Sequence, residues 1–579
     1  MQYILGINAF HPNSSACILK NGEVIFAIEE ERINRIKNWC GFPEQAIQKC
    51  LDYAKININE VLLIAINKNF KSNIMQKLLF GIKNKNNFNY SIKKIGLTTK
   101  RKKLEDIFIE KFNLKYLKPK IIYVDHHTAH LASSYLTSKF KESALLSLDG
   151  FGDFVSCAIG FANNDRFEIT KRIYYPHSLG ILYQSVTQFL GFKNFGDEYK
   201  VMGLSALGKP FFFTKMKNLI SYDKNNYKLN EKYFSYFRTG LNFNFENGTP
   251  NFLNLYNKNF YTIFGKARQY NEKLNQVHAD IASSLQLTFE KILINILNYT
   301  YKEFDIKNLS YSGGCAMNSV ANGKIQEQTM FKNLSIHPAA YDAGGCIGAA
   351  AYVYFKNYRQ KIILRTNYLG PSYTNKEILT SINNLSVKKK FIVNFIKKED
   401  VLIKFITKLL IDKKIIGLFK GRLEWGARAL GNRSIIADPR GRKIKNIINK
   451  KIKLRELFRP FAPSILFQET SKWFDVKKNV SIPSMMKVLK YRNINKNLIP
   501  AVTHVDNTGR LQTVKYKNNK FYYKLIKNFF FKTKIPILLN TSFNINEPIV
   551  CSPEDALKCF LKSKMDALII ENFVIKRCK

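Results

Sequence analysis

Residues 124–130 read VDHHTAH and hold three of the chain's eight histidines. His126 and His130 are four positions apart, so on a helix they share one face, the arrangement a divalent ion needs from two imidazoles. A bare HxxxH is equally compatible with a capped helix carrying solvated histidines, and the pattern alone does not separate the two. Carboxylates elsewhere tip the balance. Asp149 stands at the strand end of LLSLDG, before a glycine turn, and Asp342 precedes the Gly-Gly of IHPAAYDAGGCIGAA, where a helix can start against a ligand. Two imidazoles and two carboxylates form a mixed nitrogen and oxygen set suited to Fe(II), Mn(II) or Zn, with positions left open for substrate oxygens. His127, between the two candidate ligands, is expected to point away from their face and to be dispensable.

A second glycine pair, Gly313-Gly314 in LSYSGGCAMNSVANGKI, lies between a strand and a helix. That suits close approach of a nucleoside, with Asn318 one turn into the helix reading a ribose or base edge. Tight packing of helix on strand is the other use of such glycines.

The elements that must position these residues follow a repeated plan. YILGINAFHPNSSACILKNGEVIFAIEEER reads as strand, glycine turn, strand, Asn-Gly turn, strand. ALLSLDGFGDFVSCAIGFANNDRFEI reads as strand, Asp-Gly-rich turn, strand, loop, strand. Such paired hairpins resemble the duplicated halves of the actin, hexokinase and sugar-kinase (ASKHA) superfamily, whose turns let phosphate approach backbone N–H groups. Between about 358 and 367 the texture shifts from an apolar helix, through a basic stretch, to a Gly-Pro turn. The expectation is an α/β protein of two domains, 1–360 and 366–579. Lysine- and asparagine-rich stretches at 83–103 and 218–262 read as insertions or lid segments.

Composition narrows the class. With 46% hydrophobic and 13% aromatic residues the chain is globular, and its 579 residues suffice for several cores. No uncharged apolar run of about 18 residues is present and the first residues form no basic leader, so membrane insertion is not expected and a cytoplasmic location is. Nine cysteines are scattered singly, which suggests neither a zinc ribbon nor a disulfide framework. A net charge of +49 favours anionic partners, but the lysines are dispersed among Asn and Ile, so small anionic substrates are expected ahead of nucleic acid. A homodimer is compatible with the sequence.

Taken together, LGINAFHPNSSACIL, EEERINRIK, HHTAH, SLDGFGD, YPHSLGILY, GDEYKVMGL, SGGCAMN and PAAYDAGG resemble the N-terminal domain of the NodU/CmcH/TobZ family of carbamoyltransferases. GRLEWGARALGNRSIIADPR, KLRELFRPFAPS, PAVTHVDNTGRLQTV and LLNTSFNINEPIVCSPEDAL are similar to that family's C-terminal, YrdC-like domain. The resemblance spans nearly the whole chain in motif order. It implies an ATP-dependent carbamoyltransferase in which the C-terminal domain turns carbamoyl phosphate and ATP, with Mg2+, into carbamoyl adenylate. The N-terminal domain, holding a divalent metal for which Fe(II) is the first choice, then carbamoylates an acceptor hydroxyl.

The same resemblance implies residue roles. Lys453 and Arg455 with Ser542 and Asn544 form the Lys-x-Arg and Ser-x-Asn pairing of YrdC-like domains, while Arg428, Arg459, Arg510 and Asn540 fall at phosphate and nucleotide contacts. In the N-terminal domain His126, His130, Asp149 and Asp342 are the metal set, and Gly180, Gly314 and Asn318 hold the adenylate. His11 is the general base, or else caps the turn of HPNSS. Lys37 or a neighbour approaches the intermediate. The chain reads GARALG where the family commonly has GPRALG, so Ala427 loses a φ constraint.

The acceptor is expected to be a small molecule or glycan, selected by the inserted segments between 65 and 115 and between 205 and 265. Their Lys, Asn, Phe and Tyr suit an acidic or nucleotide-linked sugar, unless they are merely solvated loops. Two rivals remain: a fused tRNA threonylcarbamoyladenosine enzyme, which would not account for GRLEWGARALGNRSIIADPR, and a non-catalytic sugar-kinase-fold sensor, which would not need the acid, base and metal residues.

Overall fold

The computed structural model describes residues 2–83, 103–241, 243–385, 391–493 and 496–577. Most of the first lysine-rich insertion, residues 84–102, lies outside these. The chain forms two compact units, 1–365 and 366–579, and each sheet lies within one unit.

The first unit contains two five-stranded sheets built on one plan. In the first sheet β1 (Tyr3–Asn8), β2 (Ser15–Lys20) and β3 (Glu23–Glu29) run antiparallel, and β4 (Leu63–Ile66) and β5 (Lys120–Tyr123) continue parallel to β1, in the order β3-β2-β1-β4-β5. The second sheet repeats this with β6 (Ser143–Gly152), β7 (Val155–Ala162) and β8 (Phe167–Tyr174) antiparallel and β9 (Asn308–Ser312) and β10 (Asn333–Ile336) parallel to β6. The sequence repeat is therefore a structural one. β1 is buried along its whole length, as expected of a strand covered on both faces. Asn21 (φ 49°) and Gly22 (φ 79°) close the β2–β3 hairpin with the paired left-handed residues that a two-residue turn needs.

The second hairpin departs from its sequence reading. β6 runs on through Gly152, and the turn falls at Asp153-Phe154, both at positive φ, instead of at Asp149-Gly150. Asp153 is held there because its carboxylate accepts the backbone N–H groups of Asn69 and His126, each at 2.9 Å. Asp149 thus lies inside the strand, where ladder pairing breaks between Leu148 and Gly152. Such a break re-aims a side chain.

Helices follow the fifth strand of each half. α1 (His126–Tyr135) follows β5, α2 (Leu179–Phe189) and α3 (Gln276–Phe304) lie between β8 and β9, α4 (Ser319–Gln328) follows β9, and α5 (Gly345–Tyr358) follows β10. A Cβ on Gly348 would stand 1.8 Å from the Ala129 carbonyl oxygen, and one on Gly6 would stand 2.1 Å from that of Cys346. The missing side chains let α5 press against both α1 and β1. The second insertion is no solvated loop: Tyr227, Tyr233, Phe234, Tyr236 and Phe260 are buried there, with Phe234 edge-on to Phe260 at 5.5 Å.

The second unit is organised on one eight-stranded sheet. Its strands are β11 (Phe391–Phe395), β12 (Ile416–Phe419), β13 (Arg433–Ala437), β14 (Ala462–Leu466), β17 (Gln512–Val514), β18 (Ile537–Ser542), β19 (Ala567–Ile570) and β20 (Phe573–Arg577); β15 (Val488–Lys490) and β16 (Thr508–Arg510) form a separate pair. The order is β11-β20-β19-β12-β13-β18-β14-β17. Helix α6 (Glu399–Ile411) buries Leu402, Ile403, Ile406 and Leu410, and α7 (Lys520–Thr533) buries Phe521, Tyr522, Leu525, Ile526 and Phe529. Both are apolar stripes at helical spacing. Among the described residues no helix is long and apolar enough to cross a membrane, and the eight described cysteines are free thiols.

Gly348→Ala should destabilise the protein by about 1–3 kcal/mol, because its methyl must push α5 off the α1 backbone. Denaturant unfolding with an unchanged m-value checks this.

Candidate functional site

Helix α1 starts at His126, capped by Asp125, whose side chain accepts from Thr128 N at 3.0 Å. The first two turns therefore present His126 and His130 together. Their Nε2 atoms are 3.0 Å apart and lie 3.1 and 3.2 Å from Asp149 Oδ2. Asp342 Oδ1 is 3.7 Å from His126 and 3.5 Å from His130. Donor atoms of all four lie within 4.8 Å of one another.

Donors at ~2.1 Å from one ion stand roughly 3.0 Å apart in octahedral and roughly 3.4 Å apart in tetrahedral arrangement, so these separations fit a shared cation. The charges fit as well. Burial pushes both imidazoles down, but the carboxylates reverse it, raising His126 and carrying His130 up to about 9. Burial likewise opposes ionisation of Asp149, and the two imidazoles outweigh it, holding the carboxyl well below its usual range. Positive charge, on the imidazoles or on a bound cation, compensates the buried carboxylates.

Both halves of the duplicated unit contribute. The β1–β2 connection supplies His11 and strand β6 supplies Asp149; the segment after β5 supplies His126 and His130, and that after β10 supplies Asp342. Glycines make the convergence possible. A Cβ on Gly152 would stand 2.0 Å from the His126 ring, and one on Gly180 would stand 2.7 Å from the Asp149 carbonyl oxygen.

His11 Nδ1 is 4.0 Å from Asp342 Oδ2, and its ring centroid is 5.0 Å from that of His126. Burial, followed by the charges of Lys68 and His126, holds this imidazole well below its usual range. The same surroundings favour the neutral imidazole. Its buried Nε2 has no hydrogen-bond partner among the described residues. Lys37, expected beside the intermediate, is exposed on a loop that Asn38 ties to the Phe195 carbonyl. The lysine whose charge bears on His11 is Lys68, which follows β4 and carries no spacing signal in the sequence.

Other expectations are altered by packing. His127 does turn away from the cluster, but it is fully buried, with Nδ1 2.9 Å from Ser147 Oγ and Nε2 2.9 Å from the Val155 carbonyl, and burial pushes it down to about 3. It is a core residue. Gly313 and Gly314 are spent on β6: their Cβ positions lie 2.1 Å from the Leu148 carbonyl and 2.7 Å from Asp149 Oδ1. Gly314 N donates to that Oδ1 at 3.0 Å and so orients Asp149. Asn318 caps α4 through Ala321 N and exchanges hydrogen bonds with Gln286 at 2.9 and 3.1 Å. Gly180 likewise closes α2 onto Asp149.

The second unit gathers the other expected residues. Lys453 is buried, and its Nζ donates to the carbonyls of Ser542 and Asn544 at 2.8 Å, to Asn544 Oδ1 at 2.6 Å and to Ser542 Oγ at 3.2 Å. Arg455 bonds Asn449 Oδ1 at 2.7 Å and lies over the Phe461 ring. Burial, then the charges of Arg428, Arg455 and Arg459, hold Arg510 well below its usual range. Four guanidinium groups therefore share one neighbourhood, the electrostatics of a polyanion site. Asn540 sits beneath it, donating to the Ala429 carbonyl, Ser464 Oγ and Gln512 Oε1, so it props the Arg428 loop. Glu424, which the sequence did not mark, fixes the same loop: its Oε1 accepts from Leu430 N and Asn432 N at 2.8 Å and Arg433 N at 3.0 Å.

Residues 3–351 match the family described as Carbamoyltransferase N-terminus and residues 407–577 the one described as Carbamoyltransferase C-terminus. An uncharacterized protein of Synechocystis is 36% identical over 615 residues, covering 100% of this chain and 97% of its own. Nodulation protein NolNO of Sinorhizobium fredii is 33% identical over 590 residues, 98% of this chain and 80% of its own. Nodulation protein NolO of Bradyrhizobium diazoefficiens is 34% identical over 465 residues, 78% and 79% of the two chains. Among solved structures, HypF of T. kodakarensis aligns at 14% identity and a TM-score of 0.32, over 63% of this chain and 50% of that one, which adds nothing to the topology above.

His126→Ala and His130→Ala should each lose a bound divalent ion, whereas His127→Ala should keep it and cost about 2–4 kcal/mol of stability, through a cavity and two unpaired groups. Elemental analysis and thermal melts of the three variants separate the roles.

Proposed function

The chain belongs to the carbamoyltransferase family and is a transferase enzyme, and on that premise we propose that it is an ATP-dependent O-carbamoyltransferase acting on a sugar hydroxyl. One observation carries the reading: a single chain holds an arginine-rich polyanion site in one unit and, in the other, an imidazole–carboxylate cluster with a neutral histidine beside it. The first suits making an activated phosphate ester, the second transferring its acyl-like group.

In the C-terminal unit Arg428, Arg455, Arg459 and Arg510 neutralise the phosphates of ATP and carbamoyl phosphate, with Mg2+ accompanying ATP. Lys453, fixed by Ser542 and Asn544, holds its ammonium at one point among them. There water cleaves carbamoyl phosphate to carbamate and phosphate, and a carbamate oxygen bonds to the α-phosphorus of ATP as the bond to the β-phosphate breaks, giving carbamoyl adenylate and pyrophosphate. Its carbamoyl group is then transferred at the N-terminal site, where His11 takes the acceptor hydroxyl proton. The acceptor oxygen bonds to the carbamoyl carbon, the bond from that carbon to the phosphate oxygen breaks, and AMP leaves with the electron pair. His126, His130, Asp149 and Asp342 would hold a divalent ion, Fe(II) by preference, whose Lewis acidity polarises carbonyl and phosphate oxygens when bound.

Two relatives are named nodulation proteins, and the family resemblance extends to enzymes acting on nodulation-factor sugars. The second insertion adds exposed aromatic faces at Phe211, Tyr222 and Tyr261. Together with the basic surface they favour an acidic or nucleotide-linked sugar, such as a surface-glycan precursor, as acceptor.

Lys453→Ala and Arg428→Ala should abolish pyrophosphate release, while His11→Ala should retain it and lose about 10² to 10⁴ in transfer rate. Loss of pyrophosphate release in the His11 variant would contradict this division.

The acceptor is identified by supplying radiolabelled carbamoyl phosphate and ATP with nucleotide-sugars, polysaccharide fragments and aminoglycosides. Label should enter an anionic sugar. Labelling of a polycationic aminoglycoside would refute the charge argument, and labelling of tRNA would overturn the reading.

A further inference from the structure

Parallel pairing of β4 with β1, Ile66 opposite Ile7, makes the residues that follow both strands emerge side by side at their carboxyl ends. That edge is where α/β sheets take ligands. After β1 comes His11; after β4 come Asn67 and Lys68. The Ile66 carbonyl accepts from Val124 N at 2.8 Å, two residues before His126, and Asn69 N donates to the same Asp153 carboxylate that accepts from His126 N. On its other side Asn67 abuts α5: its Nδ2 lies 2.1 Å from where a Gly345 Cβ would stand, three residues after Asp342. Asn67 therefore lies beside α5 after Asp342 and on the strand edge next to the chain leading to His126 and His11.

Asn67 is 0% exposed, yet neither its Oδ1 nor its Nδ2 has a hydrogen-bond partner among the described residues. Asn8 Oδ1 and His11 Nε2 on the adjoining strand end are buried and unpartnered too. A buried primary amide with neither end paired is costly and calls for a partner with matching groups. A carbamoyl group is such a partner: its carbonyl accepts where Nδ2 donates, and its NH2 donates where Oδ1 accepts.

Resting on the carbamoyl-transfer reading, we propose that Asn67 recognises the carbamoyl group itself, pairing amide to amide, and so selects it over acyl groups that lack the NH2. Lys68, next in the chain, adds positive charge on the same edge for the departing phosphate. The amide also holds the carbonyl oxygen while His11 removes the acceptor proton, so the carbamoyl carbon is presented in one orientation.

The test compares binding of AMP, the non-hydrolysable carbamoylmethylphosphonate ester of adenosine, and the ester bearing CH3 in place of NH2. Calorimetry is performed on full-length Lys453→Ala protein, in which the C-terminal site is disabled, with Asn67 intact or replaced in Asn67→Leu and Asn67→Asp. With Asn67 intact, the carbamoyl ester should bind about tenfold to a hundredfold more tightly than the methyl ester. In both variants the two esters should bind within threefold of each other while AMP affinity and metal content stay unchanged. A preference that survives in either folded variant overturns the proposal. So does a parallel loss of all three ligands, or failure of both variants to fold, since either makes Asn67 structural. If neither ester binds with Asn67 intact, the carbamoyl-transfer reading fails at this site and the proposal falls with it.

Discussion

A carboxylate placed deep in a protein must be given compensating charge, and the first unit is arranged around that demand at Asp149. The ladder between β6 and β7 breaks to turn the side chain inward. Gly314 supplies one hydrogen bond, and His126 and His130 supply the charge that keeps the carboxyl ionised against burial. Three close approaches around this residue are made by glycines: Gly152 under the His126 ring, Gly180 in the first turn of α2, and Gly314 just after β9. The same electrostatic requirement that makes the cluster expensive when empty of positive charge makes it receptive to a cation.

The second unit answers the opposite problem. Arg428, Arg455, Arg459 and Arg510 accumulate positive charge, and the Asn449 amide oxygen, the Phe461 ring and the Glu456 carboxylate, 3.8 Å from Arg459, lie against it. Lys453 is tied to two carbonyls, an amide and a hydroxyl instead of to an acid. Glu424, close to Arg428 in sequence, spends one oxygen on three backbone N–H groups of its own loop. It acts as a fastener for the chain that bears Arg428.

What could be read from the sequence depended on distance along the chain. His126 and His130 were legible because helical periodicity couples positions four apart, and Asp342 because glycines follow it directly. The duplicated hairpins showed in two runs of strand and turn signals. The exact turn in the second hairpin was not legible: glycine marks LDGFGD, yet the bend falls at Asp153-Phe154, where a carboxylate is needed to cap neighbouring N–H groups. The pairing of Lys453 with Ser542 joins residues 89 apart and could be seen only through family resemblance. Asn67 and Lys68 gave no signal, since INKNF has no unusual spacing. They gain meaning from the alignment of β4 beside β1 and the approach of α5, both long-range contacts. Lys37 is close in sequence to a recognised motif, and its loop leaves the side chain exposed.

The repeated strand plan has a consequence for how such a centre can arise. Two identical halves related by a two-fold axis would place the same residue at both members of each matched pair of positions, giving two histidines or two aspartates at the first hairpin. Here the two halves differ: His11 follows β1 in one while Asp149 lies within β6 in the other, and Asn67-Lys68 follows β4 where Gly313-Gly314 follows β9. Joining both halves in one chain breaks that symmetry, so one copy can keep a group that exchanges protons while the other keeps one that holds charge permanently. A symmetric pair of single halves would be denied that division of labour, whatever its affinity for metal.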